Sequence, residues 1–454
     1  MLLQPLTIAR NTFIESLRQP VLLFVILISG LLQVFNTWNT GFAMGQDESA
    51  EVTGDTKLMF DLGLATVFVC GMLLAGFIAT AALSREIENK TVLTVVSKPV
   101  SRVMLILGKF LGVSGAIMMA SVTMIMFLLM AIRHGVMSNA SDELDMPVII
   151  FSLAAVGIAC GVGAWGNFFY GWSFTQTAVI LLLPLSVVGY LLILMFSKEW
   201  HLQPLGTDFK PQVTLASACL LLAILVLTSV AIAASTRLSQ VMTIVVCVGT
   251  FLAALLSNYI VGRHVFVNTS IATVESARAT DNERSTFMNA GDTYEVKLEQ
   301  APTAPVKPGD PFYYSPSPNG FPMLVKAFDA AGVNPDDPNT MFGPASPRGV
   351  VVTKAQGSTL TIRHIGPQGT PGAGIERVPE RGDYVFLRPT RTNFGALAVW
   401  GVVPNMHFFW LLDAVTQTRT VPTSYVILAC VYAASQVVAF LSLAVILFQR
   451  RDVG

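Results

Sequence analysis

The sequence predicts an all-α polytopic membrane protein, with about eight transmembrane helices and one inserted extracytoplasmic domain that is mainly β. Three observations predict it. Of 454 residues, 53% are hydrophobic and 12% charged, against about 25% charged in soluble domains. The apolar runs are continuous and about 20 residues long, which suits a hydrocarbon core about 30 Å thick. Between about 262 and 395 the pattern gives way to Pro/Gly clusters, such as "APTAPVKPGDPFYYSPSPNG", and to alternating strands. In lipid every backbone polar group must be satisfied internally, so long continuous apolar runs become helices.

The elements follow in order. Residues 1–20 read as an amphipathic helix lying in the cytoplasmic interface, with Leu6, Ala9, Phe13 and Leu17 on one face. Seven spans fill 21–260, at about 21–36, 59–83, 103–132, 147–168, 174–197, 213–234 and 239–260. Residues 262–395 form the β-rich domain. "DTYEVKLE" puts Tyr294, Val296 and Leu298 on one face, "RGVVVTKAQGSTLTIRHI" turns as a hairpin at Gln356-Gly357-Ser358, and "GDYVFLR" is a further strand. Residues 396–422 return along the outer interface, where Trp400, His407, Phe408, Phe409 and Trp410 read as an aromatic girdle. The last span and a basic cytoplasmic end fill 423–454.

Lys and Arg in the short loops set the orientation. With the N-terminus inside, the inner side holds Arg10, Arg18, Arg85, Lys90, Lys98, Arg102, Lys109, Arg237, Arg450 and Arg451. The outer short loops hold Lys57, Arg133, Lys198 and Lys210. Both termini are then cytoplasmic, the membrane is the inner (plasma) membrane, and the β domain is outside. The formal net charge is zero, and nothing points to nucleic acid. The five cysteines fall inside apolar runs without a CxxC pair, so they read as small buried hydrophobes rather than metal ligands or disulfides.

One cytoplasmic stretch breaks the apolar pattern, "SREIENKTVLTVVSKPVSRV" over 84–103. From Arg85 to Val96 it suits an amphipathic helix, with Ile87, Val92 and Val95 against Glu88 and Lys90. Lys98-Pro99 then breaks it, because a residue before Pro avoids the α region. By pattern alone an ordinary solvated loop that satisfies the charge bias is the better explanation.

The longer stretch "SREIENKTVLTVVSKPVSRVMLILGKFLG" resembles the coupling segment of ABC transporter permeases of the type 2 exporter class. The motif residues are Arg85-Glu86, Lys90-Thr91, Ser97-Lys98-Pro99-Val100-Ser101-Arg102 and Gly108-Lys109. Lys90 stands where the family usually has Gly. "IARNTFIESLRQPVLL", the Ser235-Thr236-Arg237 turn and the last helix with its basic end agree. The spans at about 147–197 look like additions to the family's usual six.

The resemblance implies a permease that pairs as a homodimer, or as a heterodimer with a second permease, on ATP-binding cassette ATPase subunits. ATP-Mg would sit on those subunits and no cofactor on this chain. Ile87, Val92 and Val95 would fill a groove of the ATPase, with Thr91, Lys98 and Pro99 shaping the segment. Arg85, Glu86, Glu88 and Arg102 would make charged contacts. A groove-bound amphipathic helix is a recurrent mode of recognition.

The sequence has no Walker A motif; Gly108-Lys109 is followed by Phe110. An enzymatic role is therefore not expected, and ATP hydrolysis would fall to a partner. An ion-coupled carrier would place ionisable groups in the bilayer core, whereas Asp61 and Lys109 lie at span edges; an ion-independent carrier stays open. A force-transmitting or anchoring subunit, acting on an extracytoplasmic partner through the β domain, is the other alternative. Gly108-x-x-x-Gly112 and Gly157-x-x-x-Gly161 are candidate helix contacts, expected within the subunit.

Overall fold

The structure is a computed structural model that describes residues 3–40, 54–84, 101–137, 143–280, 289–367, 375, 377–411, 415 and 421–449. The chain divides into two compact units, Met1–Leu255 with Pro404–Gly454, and Leu256–Val403.

The first unit is helical. Helix α1 spans Leu3–Leu17 and α2 spans Pro20–Asn39; α3 spans Gly54–Ala79 and ends in a π-turn at Thr80–Ser84. Then come α4 (Arg102–His134), α5 (Met146–Tyr170), α6 (Phe174–Met195), α7 (Pro211–Ser235) and α8 (Gln240–Ser257). The last helix of the chain, Thr423–Gln449, closes the unit. Eight described helices are long and apolar enough to cross a membrane, α2 to α8 and the last. Helix α4 is central: α1, α2, α3, α5, α6, α7 and the last helix all touch it. Ile106, Val113, Ile117, Ala120, Met124 and Leu128 on it are fully buried.

Helix starts follow local chemistry. Pro opens α2 and α7 in the first turn, where its missing N–H costs nothing. The Ser101 hydroxyl accepts from the Met104 amide at 3.2 Å and caps α4, and the Asp145 carboxylate accepts from the Val148 amide at 3.3 Å and caps α5.

The α1 face against the bundle keeps Ala9, Phe13 and Leu17 of the predicted stripe but is turned away from Leu6. Leu6 is 59% exposed, while Thr12, Ser16 and Leu17 are buried. The partner surface decides this. A Cβ on Gly108 would lie 2.8 Å from Ile8 Cβ and 2.9 Å from the Pro5 carbonyl oxygen; one on Gly112 would lie 2.5 Å from the Ala9 carbonyl oxygen. Backbone approach of this kind needs glycine on one side and small residues on the other.

Gly157 and Gly161 meet no atom within 4 Å, so the packing inside the subunit expected of them is not made. Helix α5 instead buries Ala155, Ala159, Gly163 and Gly166. Gly163 faces Phe174 and Gly166 faces Trp172, so the other small face of α5 meets α6.

The second unit carries a six-stranded antiparallel sheet. Its strands are β2 (Ala272–Ala279), β3 (Thr293–Leu298), β4 (Tyr313–Ser315), β5 (Gly349–Gln356), β6 (Thr359–Ile365) and β7 (Tyr384–Phe386), in the order β4-β7-β2-β3-β6-β5. A short pair, β1 (Phe266–Val267) and β8 (Arg391–Thr392), stands apart. Strand β3 alternates as its sequence predicts: Tyr294, Val296 and Leu298 are buried between exposed Glu295 and Lys297. The β5–β6 hairpin turns at Gly357, whose φ of +59° suits glycine. Phe312, Tyr313, Tyr314, Ile362 and Phe386 fill the core. A bidentate pair, Arg377 to Asp383 with both contacts at 2.6 Å, ties the loop before β7.

His364 on β6 is fully buried in this core. Burial pushes its pKa below the ordinary value, and the nearby Asp292 charge opposes that shift. The folded domain therefore disfavours protonation of the imidazole, while the unfolded chain takes a proton near pH 6.5. Below that pH the unfolded state binds more protons, so stability falls with acidity by at most about 1.4 kcal/mol per pH unit. Thermal unfolding of the full chain, followed through β-domain tyrosine signals between pH 7.5 and 5, should show this loss, and His364→Gln should flatten it. An unchanged slope in the variant would assign the loss to other groups.

Candidate functional site

The helix ends of the first unit sort into two sets, and the set around residues 84–102 is the candidate site. Of the coupling residues read from the sequence, Arg85, Glu86, Ile87, Glu88, Thr91, Val92, Val95, Lys98 and Pro99 lie outside the described residues. Their two flanks are described, and both are tied into the bundle.

On the upstream flank, α3 tightens into the π-turn Thr80–Ser84, whose five residues are all buried. The Thr80 hydroxyl donates back to the Gly76 and Phe77 carbonyls at 2.8 and 2.9 Å. Ser84 Oγ donates to the Leu238 carbonyl at 3.0 Å, which fastens the end of α3 to the turn between α7 and α8. Single π-turns inside helices recur at functional sites.

On the downstream flank, Arg102 opens α4 and donates to the Gln449 carbonyl at 2.8 Å, with its guanidinium 5.9 Å from the centre of the Phe448 ring. Arg237 Nε donates to the Leu447 carbonyl at 2.9 Å. Two guanidinium groups thus cap the carboxyl end of the last helix. Its final carbonyls have no helical partner and carry the negative end of the helix dipole. At the same end Arg18 Nε donates to Gln176 Oε1 at 2.9 Å, and the Thr175 hydroxyl donates to the Arg18 carbonyl at 2.8 Å. Lys109, the cation of the Gly108-Lys109 step, is buried on α4. The chemistry of this end is cationic and mechanical. It links α1, α3, α4, α6, α7 and the last helix.

The opposite set of ends carries a cluster that sequence reading missed. Arg133 at the end of α4 meets Asp145 at 2.5 Å and Asp208 at 2.9 Å, and its NH2 also donates to the Phe196 carbonyl at 3.3 Å. The Asp145 side chain is fully buried and the Arg133 side chain 9% exposed. Gln203 donates to Asp208 at 2.5 Å. Asp145 before Met146-Pro147 is legible as a helix cap, but its cation is not. At this end too Trp410 Nε1 donates to Asp61 at 3.3 Å, and His407 Nε2 lies 2.9 Å from the Leu255 carbonyl. Among the described residues, no three His, Cys, Asp or Glu side chains gather in a way that could hold a metal ion.

Residues 6–167 match the family model described as ABC-2 family transporter protein. The matched stretch runs from α1 into α5, and so takes in most of the first of the two spans that the resemblance set apart as additions. No curated protein and no solved structure matches the chain. The glycine-docked α1, the π-ended α3 and the Arg102-anchored α4 all fall inside the matched stretch. The likeness to ABC-2 family transporter proteins covers residues 6–167, about a third of the chain.

Proposed function

We propose that this chain is the permease subunit of an ATP-binding cassette exporter, working as a homodimer or with a second permease. Partner ATPase subunits bind ATP-Mg and hydrolyse it; this chain converts their closure into movement of its helices. The segment 85–100 is the contact, with Arg85, Glu86, Ile87, Glu88, Thr91, Val92, Val95, Lys98 and Pro99 as its surface. Both termini are cytoplasmic in an inner membrane, and the β domain works on the other side, where it meets cargo or an extracytoplasmic partner.

One observation carries this reading: both flanks of the segment are fixed to helices. Ser84 holds α3 to the α7–α8 turn and Arg102 holds α4 to the last helix. A push on a segment anchored in this way reaches α3, α4, the α7–α8 turn and the last helix. The charge distribution supports the orientation. Arg18, Arg102 and Arg237 gather at the segment's end of the bundle, while Arg133 at the other end is matched by two carboxylates.

The test is a pull-down of the tagged chain from its native membrane in mild detergent, with mass spectrometry of what accompanies it. An ATP-binding cassette protein in stoichiometric amount is expected. It should be lost in the charge-reversed double variant Arg85→Glu/Glu86→Lys, with the permease still folded. Arg102 is spared in that variant because it caps the last helix. Retention of the ATPase by the double variant, or its absence in several detergents, would remove the segment from the mechanism.

A further inference from the structure

A groove runs down the flank of the first unit at the end where Arg133 sits. Its floor is α4, through Phe127, Met130 and Ala131; α2 and α5 form its walls. Its volume is about 340 Å³. The deep end is lined by Leu27, Phe127 and Val156, and the mouth by Thr37, Trp38 and His134. The polar groups near it are turned away. Gln33 donates its amide to the Gly63 carbonyl on α3 at 3.1 Å, and the Ser152 hydroxyl donates to the Ile149 carbonyl of its own helix at 3.1 Å. The wall residues Leu31, Val34 and Leu153 are 55%, 51% and 66% exposed.

Dimensions select the occupant. From Leu27 to Trp38 helix α2 rises about 16 Å at 1.5 Å per residue. That is half of a hydrocarbon core about 30 Å thick, so the groove is one leaflet deep. A hydrocarbon chain laid along the groove places its carbons against these apolar walls at van der Waals distance, about 3.5–4.0 Å. A transmembrane helix would instead run through both leaflets, about 30 Å, twice the depth of the groove. Polarity runs the same way as in a lipid. Trp38, whose indole N–H meets Met137 Sδ at 3.2 Å, marks the depth of the headgroup boundary, and the lining deeper than Thr37 is apolar but for Gln33 and Ser152, which bond to backbone carbonyls.

We infer that this groove is a binding site for one acyl chain of a bilayer lipid, drawn from the leaflet at the Trp38 end and held as a resident ligand. The inference rests on the membrane spans and not on the proposed ATPase, so the two can fail separately.

The experiment uses the full chain in phosphatidylethanolamine–phosphatidylglycerol vesicles that contain a phospholipid with a photoreactive diazirine in mid-chain. After illumination and peptide mapping, adducts on 127–131 and 149–156 should exceed those on the exposed Val431 and Val438 of the last helix several-fold. Ser152→Trp, which fills the slot from one wall, should abolish the groove adduct. Ile158→Trp, on the same helix but outside the groove, should leave it intact. Val34→Trp, from the opposite wall, repeats the block should Ser152→Trp fail to fold. Even labelling of the groove and the last helix, or an adduct that survives a correctly folded blocking variant, would overturn the site.

Discussion

Replacing Arg133 with alanine is expected to destabilise the first unit by about 3–5 kcal/mol, the usual cost of leaving a buried charge without its partner. Asp145 is fully buried and Arg133 nearly so, so solvent does little to screen them. The pair closes a ring. Arg133 ends α4, Asp145 caps α5, and Asp208 and the Phe196 carbonyl belong to the loop between α6 and α7. Loss of the cation should therefore loosen three connections at once. Asp145→Asn should be milder, because an amide oxygen still accepts from the Val148 amide. The double variant Arg133→Met/Asp145→Asn should recover much of the loss, since it removes both charges from the low-dielectric site. Thermal midpoints in mild detergent decide the matter. A double variant as unstable as Arg133→Ala would show that Arg133 acts through packing and not charge.

The parts of the structure that the sequence made legible are those imposed by the surroundings. A bilayer demands about 20 apolar residues per crossing, so the eight spans stand out from the flanking residues. A half-buried sheet demands alternation, so Tyr294, Val296 and Leu298 identify β3. A tight hairpin needs a residue at positive φ, so Gly357 marks the turn between β5 and β6. These constraints act within a few residues of chain.

What stayed hidden was the choice between faces and the pairing of distant groups. Helix α5 offers two small-residue faces, Gly157 with Gly161 and Ala155 with Ala159, Gly163 and Gly166. Both satisfy the same spacing rule, and only the position of α6 selects the second. The apolar stripe of helix α1 runs through Leu6, Ala9, Phe13 and Leu17, yet the glycines of α4 turn the helix so that Thr12 is buried and Leu6 is left exposed. Arg133 looked like one outer-loop cation among four. Its two carboxylates come from the start of α5 and the loop before α7, and nothing local in the sequence joins them. Arg102 was read as a contact for a partner, and its further bond to the Gln449 carbonyl, 347 residues along the chain, is a pairing that nothing local announces.

Gly112→Ala should destabilise the chain, and Gly157→Ala should stabilise it, although both make the same change in the interior of a helix. Helix propensity alone favours alanine over glycine by about 1 kcal/mol. At Gly157 the added methyl meets open space, so that gain should be kept. At Gly112 the methyl carbon would lie 2.5 Å from the Ala9 carbonyl oxygen and 2.9 Å from the Phe13 amide nitrogen. Those neighbours are backbone, so no side chain can swing aside, and α1 itself must move off α4. Overpacking of this kind costs about 1–3 kcal/mol or more, enough to reverse the propensity term. The movement has its own readout. Thr12 is 2% exposed beneath α1, so a cysteine at Thr12 should be slow to react with a polar maleimide in the parent chain and fast in the Gly112→Ala background. Under the proposed function α1 stands at the ATPase end of the bundle, so the same variant should also weaken recovery of the ATPase, while Gly157→Ala should not. A Gly112→Ala chain that melts as high as the Gly157→Ala chain would mean that the α1–α4 contact is loose enough to absorb a methyl group. The glycines of α4 would then not be what holds α1 in place.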